Sequence, residues 1–127
     1  MGHCVSDRAA VLIIDDDPDI CELVTTFLTE TGYTAFAARS GAQALDLLET
    51  VVPVLILLDL NMREMSGPEF IAAYRTRSGP HASIIVFSAA RNADRVAEEW
   101  GADGFLAKPF DLWDLLRLMP GSKVEGG

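Results

Sequence analysis

Five short apolar runs punctuate this chain, and none alternates regularly with polar residues: Ala10 to Ile14, Tyr33 to Ala38, Val54 to Leu58, Ser83 to Phe87 and Gly104 to Ala107. A strand with one wet face reads as an alternation, whereas a strand covered on both faces reads as a continuous run. Parallel strands meet that condition, because each pair needs a crossover that packs back onto the sheet. The intervening segments have the helical spacing that such crossovers require. Asp19 to Thr31 places Ile20, Leu23, Val24, Phe27 and Leu28 on one stripe. Asp17 and Pro18 ahead of it read as a helix start, with Asp17 at the cap, and Gly32 reads as its stop. A second helix is expected over Gly41 to Thr50 with Ala44, Leu45 and Leu48 inward, and a third from about Gly67 to Thr76 with Phe70, Ile71 and Tyr74 inward. The fourth, Ala93 to Trp100, is mostly polar and offers only Val96, Ala97 and Trp100 as a buried face. A fifth runs from Asp111 to about Met119 and stops at Pro120-Gly121.

Strand and helix thus alternate five times, which predicts an α/β fold with helices on both faces of a parallel sheet. The natural doubly wound choice for five strands is the flavodoxin-like order 2-1-3-4-5. The 127 residues suffice for one such domain, expected over 10–119, with short tails at 1–9 and 120–127. Half of the residues are apolar, enough to fill a core at this size. The 19 acidic residues outnumber the 10 basic ones, giving a net charge of -9 that repels phosphate backbones and argues against direct nucleic-acid binding. Apolar runs such as Val54 to Leu58 are far too short to span a bilayer, and the first residues lack the pattern of a signal peptide. Two cysteines, Cys4 and Cys21, make no disulfide framework and read as a tail thiol and a small helix residue. A cytoplasmic protein with no membrane contact is the expectation.

In an open parallel sheet, ligands bind at the carboxyl ends of the strands, near the point where the strand order reverses. The unusual polar residues of this chain stand at those ends. Strand one runs into Asp15-Asp16-Asp17, strand three into Asp59, strand four into Ser88 and strand five into Lys108. The reversal lies between strands one and three, so the Asp pair and Asp59 are expected to face each other. Carboxylates this close repel unless a proton or a cation compensates them. A hard divalent cation such as Mg²⁺ takes one or two carboxylates together with water and phosphate oxygens. Each residue alone has an ordinary explanation as a cap, a turn or a solvated end. Together they supply a carboxylate nucleophile, a metal site, a hydroxyl and an ammonium, the parts of an in-line phosphoryl transfer to Asp.

The stretches LIIDDDPDI at 12–20, LILLDLNMREMSG at 55–67, IIVFSA at 84–89 and GADGFLAKPF at 101–110 resemble the receiver family of two-component signalling, in the family's order and spacing. The resemblance spans roughly residues 10 to 119. It implies that Asp59 accepts a phosphoryl group from a histidine kinase or a histidine phosphotransfer protein. Asp15 and Asp16 fall on the family's acidic pair, with Asp16 the more direct Mg²⁺ ligand, and the backbone carbonyl of Asn61 completes the protein ligands. Ser88 and Lys108 match the switch hydroxyl and lysine, and Pro109 the proline that follows the lysine. Two positions depart from the pattern. The residue four after the acceptor is commonly proline and here is Arg63, which adds positive charge and is expected to alter phosphoryl lifetime or donor docking. The switch aromatic is Phe105 rather than tyrosine, so it has no hydroxyl to report with; an ordinary core aromatic is the other reading. Ala89 and Ala90 after Ser88 leave room for water or a small donor such as acetyl phosphate.

The resemblance further implies a switch that is read on the face formed by helix four, strand five and helix five, where a downstream effector or a second copy docks. Trp100, Trp113 and Arg95 are the candidate contacts there, although both Trp side chains could equally pack on their own sheet. Two other functions compete. A haloacid-dehalogenase-like phosphatase also uses an Asp nucleophile and Mg²⁺ but needs a second acid where this chain has Asn61. A flavin or nucleotide binder needs a Gly- or Ser-rich phosphate loop where this chain has three acids. A receiver that has lost phosphorylation would not need the acceptor, acidic pair, hydroxyl and lysine together. The chain reads either as a stand-alone receiver or as a piece of a larger regulator or hybrid kinase.

Overall fold

The computed structural model describes residues 9–59, 65–88, 93–107 and 112–117, with the side chains of residues 88, 93, 107 and 112 left out. Five strands and five helices alternate: β1 (Ala10–Ile14), α1 (Pro18–Glu30), β2 (Thr34–Ala38), α2 (Gly41–Leu47), β3 (Leu55–Asp59), α3 (Gly67–Arg75), β4 (Ser83–Ser88), α4 (Ala93–Trp100), β5 (Gly104–Ala107) and α5 (Leu112–Arg117). The strands form one sheet in the order β2-β1-β3-β4-β5, and every pairing is parallel. This is the flavodoxin-like arrangement.

The sheet separates two cores. Val11 and Ile13, Leu55 and Leu57, and Ile85 and Phe87 point to one side, where Cys21, Val24 and Leu28 of α1 and Leu115 and Leu116 of α5 cover them. Leu12 and Ile14, Ile56 and Leu58, and Ile84 point to the other, against Ala44 of α2 and Phe70, Ile71 and Tyr74 of α3. Both sides of β1 and β3 are therefore dry, which accounts for their unbroken apolar sequence. β2 is different. It lies at the sheet edge, and of its five residues only Ala38 is fully buried, because the edge has a neighbour on one side alone.

Local chemistry fixes the helix ends. Asp17 caps α1, its carboxylate accepting the N–H of Asp19 at 2.9 Å. Ser66 and Glu69 form a reciprocal capping box at the start of α3, which aims that helix immediately after the segment following β3. α2 ends at Leu47, short of the expected Thr50, because the chain tightens there: Thr50 N–H and Val51 N–H both donate to Leu47 O. At the β4–β5 end, Asp103 Oδ2 accepts the N–H of Ile84 at 2.7 Å while Asp103 N–H donates to Ile84 O, clamping the start of β4.

Leu23 corrects the expected face of α1. It is 53% exposed, although the stripe was expected to take it inward. The buried residues of α1 are Cys21, Val24 and Leu28, and at 100° per residue Leu23 stands about 160° around the helix from Cys21. Among the described residues no helix is long and apolar enough to cross a membrane. Two substitutions in α1 separate these environments. Leu28→Ala should cost about 2–5 kcal/mol in urea unfolding, whereas Leu23→Gln should stay within about 0.5 kcal/mol. A large loss at Leu23 would place it in the core after all.

Candidate functional site

The register of the central strands builds the site. β1 and β3 pair Ile14 with Leu58, so the next residues along, Asp15 and Asp59, stand level at the carboxyl end of the sheet. Asp59 also continues the row of Leu55 and Leu57 by the two-residue alternation of a strand. Carboxylate oxygens of Asp15, Asp16 and Asp59 lie within 4.8 Å of one another. Asp15 and Asp59 are only 2% and 6% exposed, while Asp16 is more open to solvent. Two acids buried side by side at the end of an apolar sheet are costly unless their charges are compensated.

Asp15 is held from three directions. Its N–H extends the β1–β2 ladder to Ala38 O at 3.0 Å. Its Oδ1 accepts the N–H of Asp17 at 3.0 Å. Its carbonyl oxygen accepts the Cys21 Sγ–H at 3.3 Å from the first turn of α1. The last bond gives Cys21 a part the sequence did not reveal: a small helix residue in the first inward position, it ties the helix to the loop bearing the acids. Burial raises the Cys21 thiol above its ordinary pKa, and the neighbouring Asp15 charge raises it further.

The donor set suits a hard divalent cation. It offers carboxylate oxygens only, on three side chains, with Asp16 left on the open side where water could complete the shell. Octahedral Mg²⁺ places its oxygens roughly 3–4 Å apart, so a cluster within 4.8 Å needs only a slight inward turn of the side chains.

The other candidates are less fully placed. β4 ends at Ser88, one residue past the level of Asp59, since Asp59 pairs with Phe87. The Ser88 side chain is outside the described part, and Lys108, Pro109, Asn61 and Arg63 lie outside the described residues altogether. Ser88 pairs with Ala107, the last residue of β5. Phe105 is 45% exposed on β5 and belongs to neither core. Trp113 is also largely exposed and meets the edge of Phe27 at 6.2 Å. Trp100 packs inward against the α2–α3 side. A pocket of about 350 Å³ lined by Tyr74, Arg77 and His81 lies beside the segments preceding β3 and β4, at the opposite end of the sheet from the acids.

The model of the response regulator receiver domain matches residues 11–119. The chain belongs to that family. As a receiver domain of two-component signalling it is a signalling module rather than an enzyme. A 14.6 kDa protein of Leptolyngbya boryana is 36% identical over 114 residues, covering 86% of each chain. Response regulator Rre1 of Synechocystis is 31% identical over 111 residues, covering 84% of this chain and 48% of that protein. The DNA-binding response regulator MtrA of Mycolicibacterium smegmatis is 33% identical, again over 48% of its length. The chain thus spans about half the length of these two regulators. Among solved structures, the chemotaxis response regulator CheY4 of Vibrio cholerae superposes with a TM-score of 0.77 at 31% identity, covering 87% of this chain and 94% of that one.

The geometry around Cys21 makes a chemical prediction. Its raised pKa lowers the thiolate fraction below that of the unfolded chain at any pH near the thiol range, and burial blocks approach. In a Cys4→Ser background, iodoacetamide should label Cys21 slowly in the native protein and rapidly in denaturant, followed by intact mass. Equal rates would mean that Cys21 is not sequestered behind the acidic loop.

Proposed function

We propose that this receiver domain is a phosphoacceptor, taking a phosphoryl group onto Asp59 from a histidine kinase or a histidine phosphotransfer protein. The observation that carries the reading is the convergence of Asp15, Asp16 and Asp59 within 4.8 Å at the reversal point of the sheet. In the transfer, an Asp59 carboxylate oxygen forms a bond to phosphorus as the donor's phosphorus–nitrogen bond breaks and the leaving imidazole keeps the electron pair. Asp15, Asp16 and Asp59, with the Asn61 carbonyl, would hold Mg²⁺, which supplies charge neutralisation at the phosphoryl oxygens. Asp59 presents the nucleophile from a rigid strand end, and the three bonds on Asp15 keep the facing carboxylate in position.

After transfer, the added negative charge would be read by the Ser88 hydroxyl and the Lys108 ammonium, which the sequence sets at the ends of β4 and β5. Drawing Ser88 toward Asp59 would reshape the segment leading into α4 and so the α4–β5–α5 face. That face carries the output on this reading, docking an effector, whether part of a longer regulator or a separate protein, or a second copy. The setting is the cytoplasm.

Acetyl phosphate tests the chemistry without a kinase. Intact mass should rise by one phosphoryl group in the wild type with Mg²⁺. No gain is expected without Mg²⁺ or in Asp59→Asn. A gain that survives Asp59→Asn would move the acceptor elsewhere. Failure with acetyl phosphate and with a panel of histidine kinases alike would make this a receiver that signals without phosphorylation. In the same assay Arg63→Pro should change the rate of gain or of loss; unchanged rates would remove Arg63 from the account.

A further inference from the structure

We infer that Trp100 is a latch, holding α4 against the start of α3 in the unphosphorylated domain and releasing when the domain switches. The inference rests on the phospho-switch reading above and adds the contact that opposes the switch. α4 packs on β4 and β5 through a small inward face. Asp94, Arg95, Glu98 and Glu99 are exposed, and its inward residues are Val96, Ala97 and Trp100. Trp100 is by far the largest of them and, half-buried, packs against the α2–α3 core.

The ring is seated on the neighbouring helix. A Cβ added at Gly67, the first residue of α3, would lie 2.1, 2.5 and 2.7 Å from the Cζ3, Cη2 and Cε3 atoms of Trp100. The indole therefore rests directly on the Gly67 backbone. Gly67 is absent from the glycines with positive φ, which are Gly32, Gly79 and Gly101. Glycine is required at position 67 by the approach of the ring and not by its own conformation. Met65, two residues earlier, packs against the same core as Trp100.

Both partners lead back to the site. α3 is the helix that follows β3 and Asp59, its start fixed by the Ser66–Glu69 capping box. α4 is the helix that follows β4 and Ser88. The Trp100–Gly67 seat thus ties together the helices that follow two adjacent site strands. Any displacement of α4 relative to α3 pulls the ring from a contact too close to slide. A contact made in one state and lost in the other favours the first state, so the seat should hold the domain in its unswitched form.

The test uses beryllofluoride with Mg²⁺ as a phosphoryl mimic and reads binding, emission and stability. The chain has two Trp residues, so Trp113→Phe leaves Trp100 as the sole emitter. On binding the mimic, its emission should shift to the red as the ring leaves its seat. Trp100→Ala and Gly67→Ala should each bind the mimic about fivefold or more tightly, the low end of ordinary coupling between sites, even though both lose stability in urea. Gly67→Ala displaces the ring without removing it, so it carries the test if Trp100→Ala fails to fold. Unshifted emission on saturation, or variants that bind no more tightly than wild type, would overturn the latch while leaving phosphorylation intact. A wild type that neither binds the mimic nor accepts a phosphoryl group would overturn the phospho-switch reading and the latch with it.

Discussion

Mutual repulsion among three carboxylates is the constraint around which this domain is arranged. Asp15 and Asp59 are brought level by the pairing of β1 with β3, and neither can retreat, because each ends a strand buried on both faces. The sheet that makes the fold stable is the same object that forces the charges together. Carboxylates gathered this closely favour positive charge beside them, and three acid side chains within 4.8 Å are consistent with a metal site.

The supporting structure holds the acids from behind. Asp15 is tied through its backbone N–H, its carbonyl and one carboxylate oxygen, and Asp17 is committed to capping α1. The helices on the α2–α3 side pack deeply through Phe70, Ile71 and Tyr74, whereas α4 is anchored by a smaller inward face and the Trp100 ring. On the proposed reading α3 is the fixed reference, and the Trp100 seat on Gly67 is what joins α4 to it.

Much of this was legible in the sequence because it follows from local pattern. Runs such as Val54 to Leu58 announce a doubly covered strand, and Asp17-Pro18 announces a helix start, since each signal is confined to a few neighbouring residues. The meeting of Asp15 with Asp59 was also legible, because strand order fixes which ends adjoin. What was not legible depends on how elements lie against one another. Leu23 satisfies a helical stripe but falls outside the arc that meets the sheet. The close approach of Trp100 to Gly67 leaves no trace in either local sequence, since both residues have ordinary local explanations. The Cys21 bond to the Asp15 carbonyl is equally silent, because a cysteine in a helix reads as a small apolar residue.

The most direct test of the central claim is the dependence of stability on Mg²⁺, measured as the urea midpoint of the wild type and of Asp16→Asn over a Mg²⁺ titration, with Ca²⁺-free buffer and matched ionic strength. A cation bound only by the folded acidic cluster stabilises it by linkage. The wild-type midpoint should therefore climb steadily with Mg²⁺, and most of that rise should vanish in Asp16→Asn. A wild type indifferent to Mg²⁺, or an equal rise in both proteins, would contradict the claim that these carboxylates are gathered for a cation.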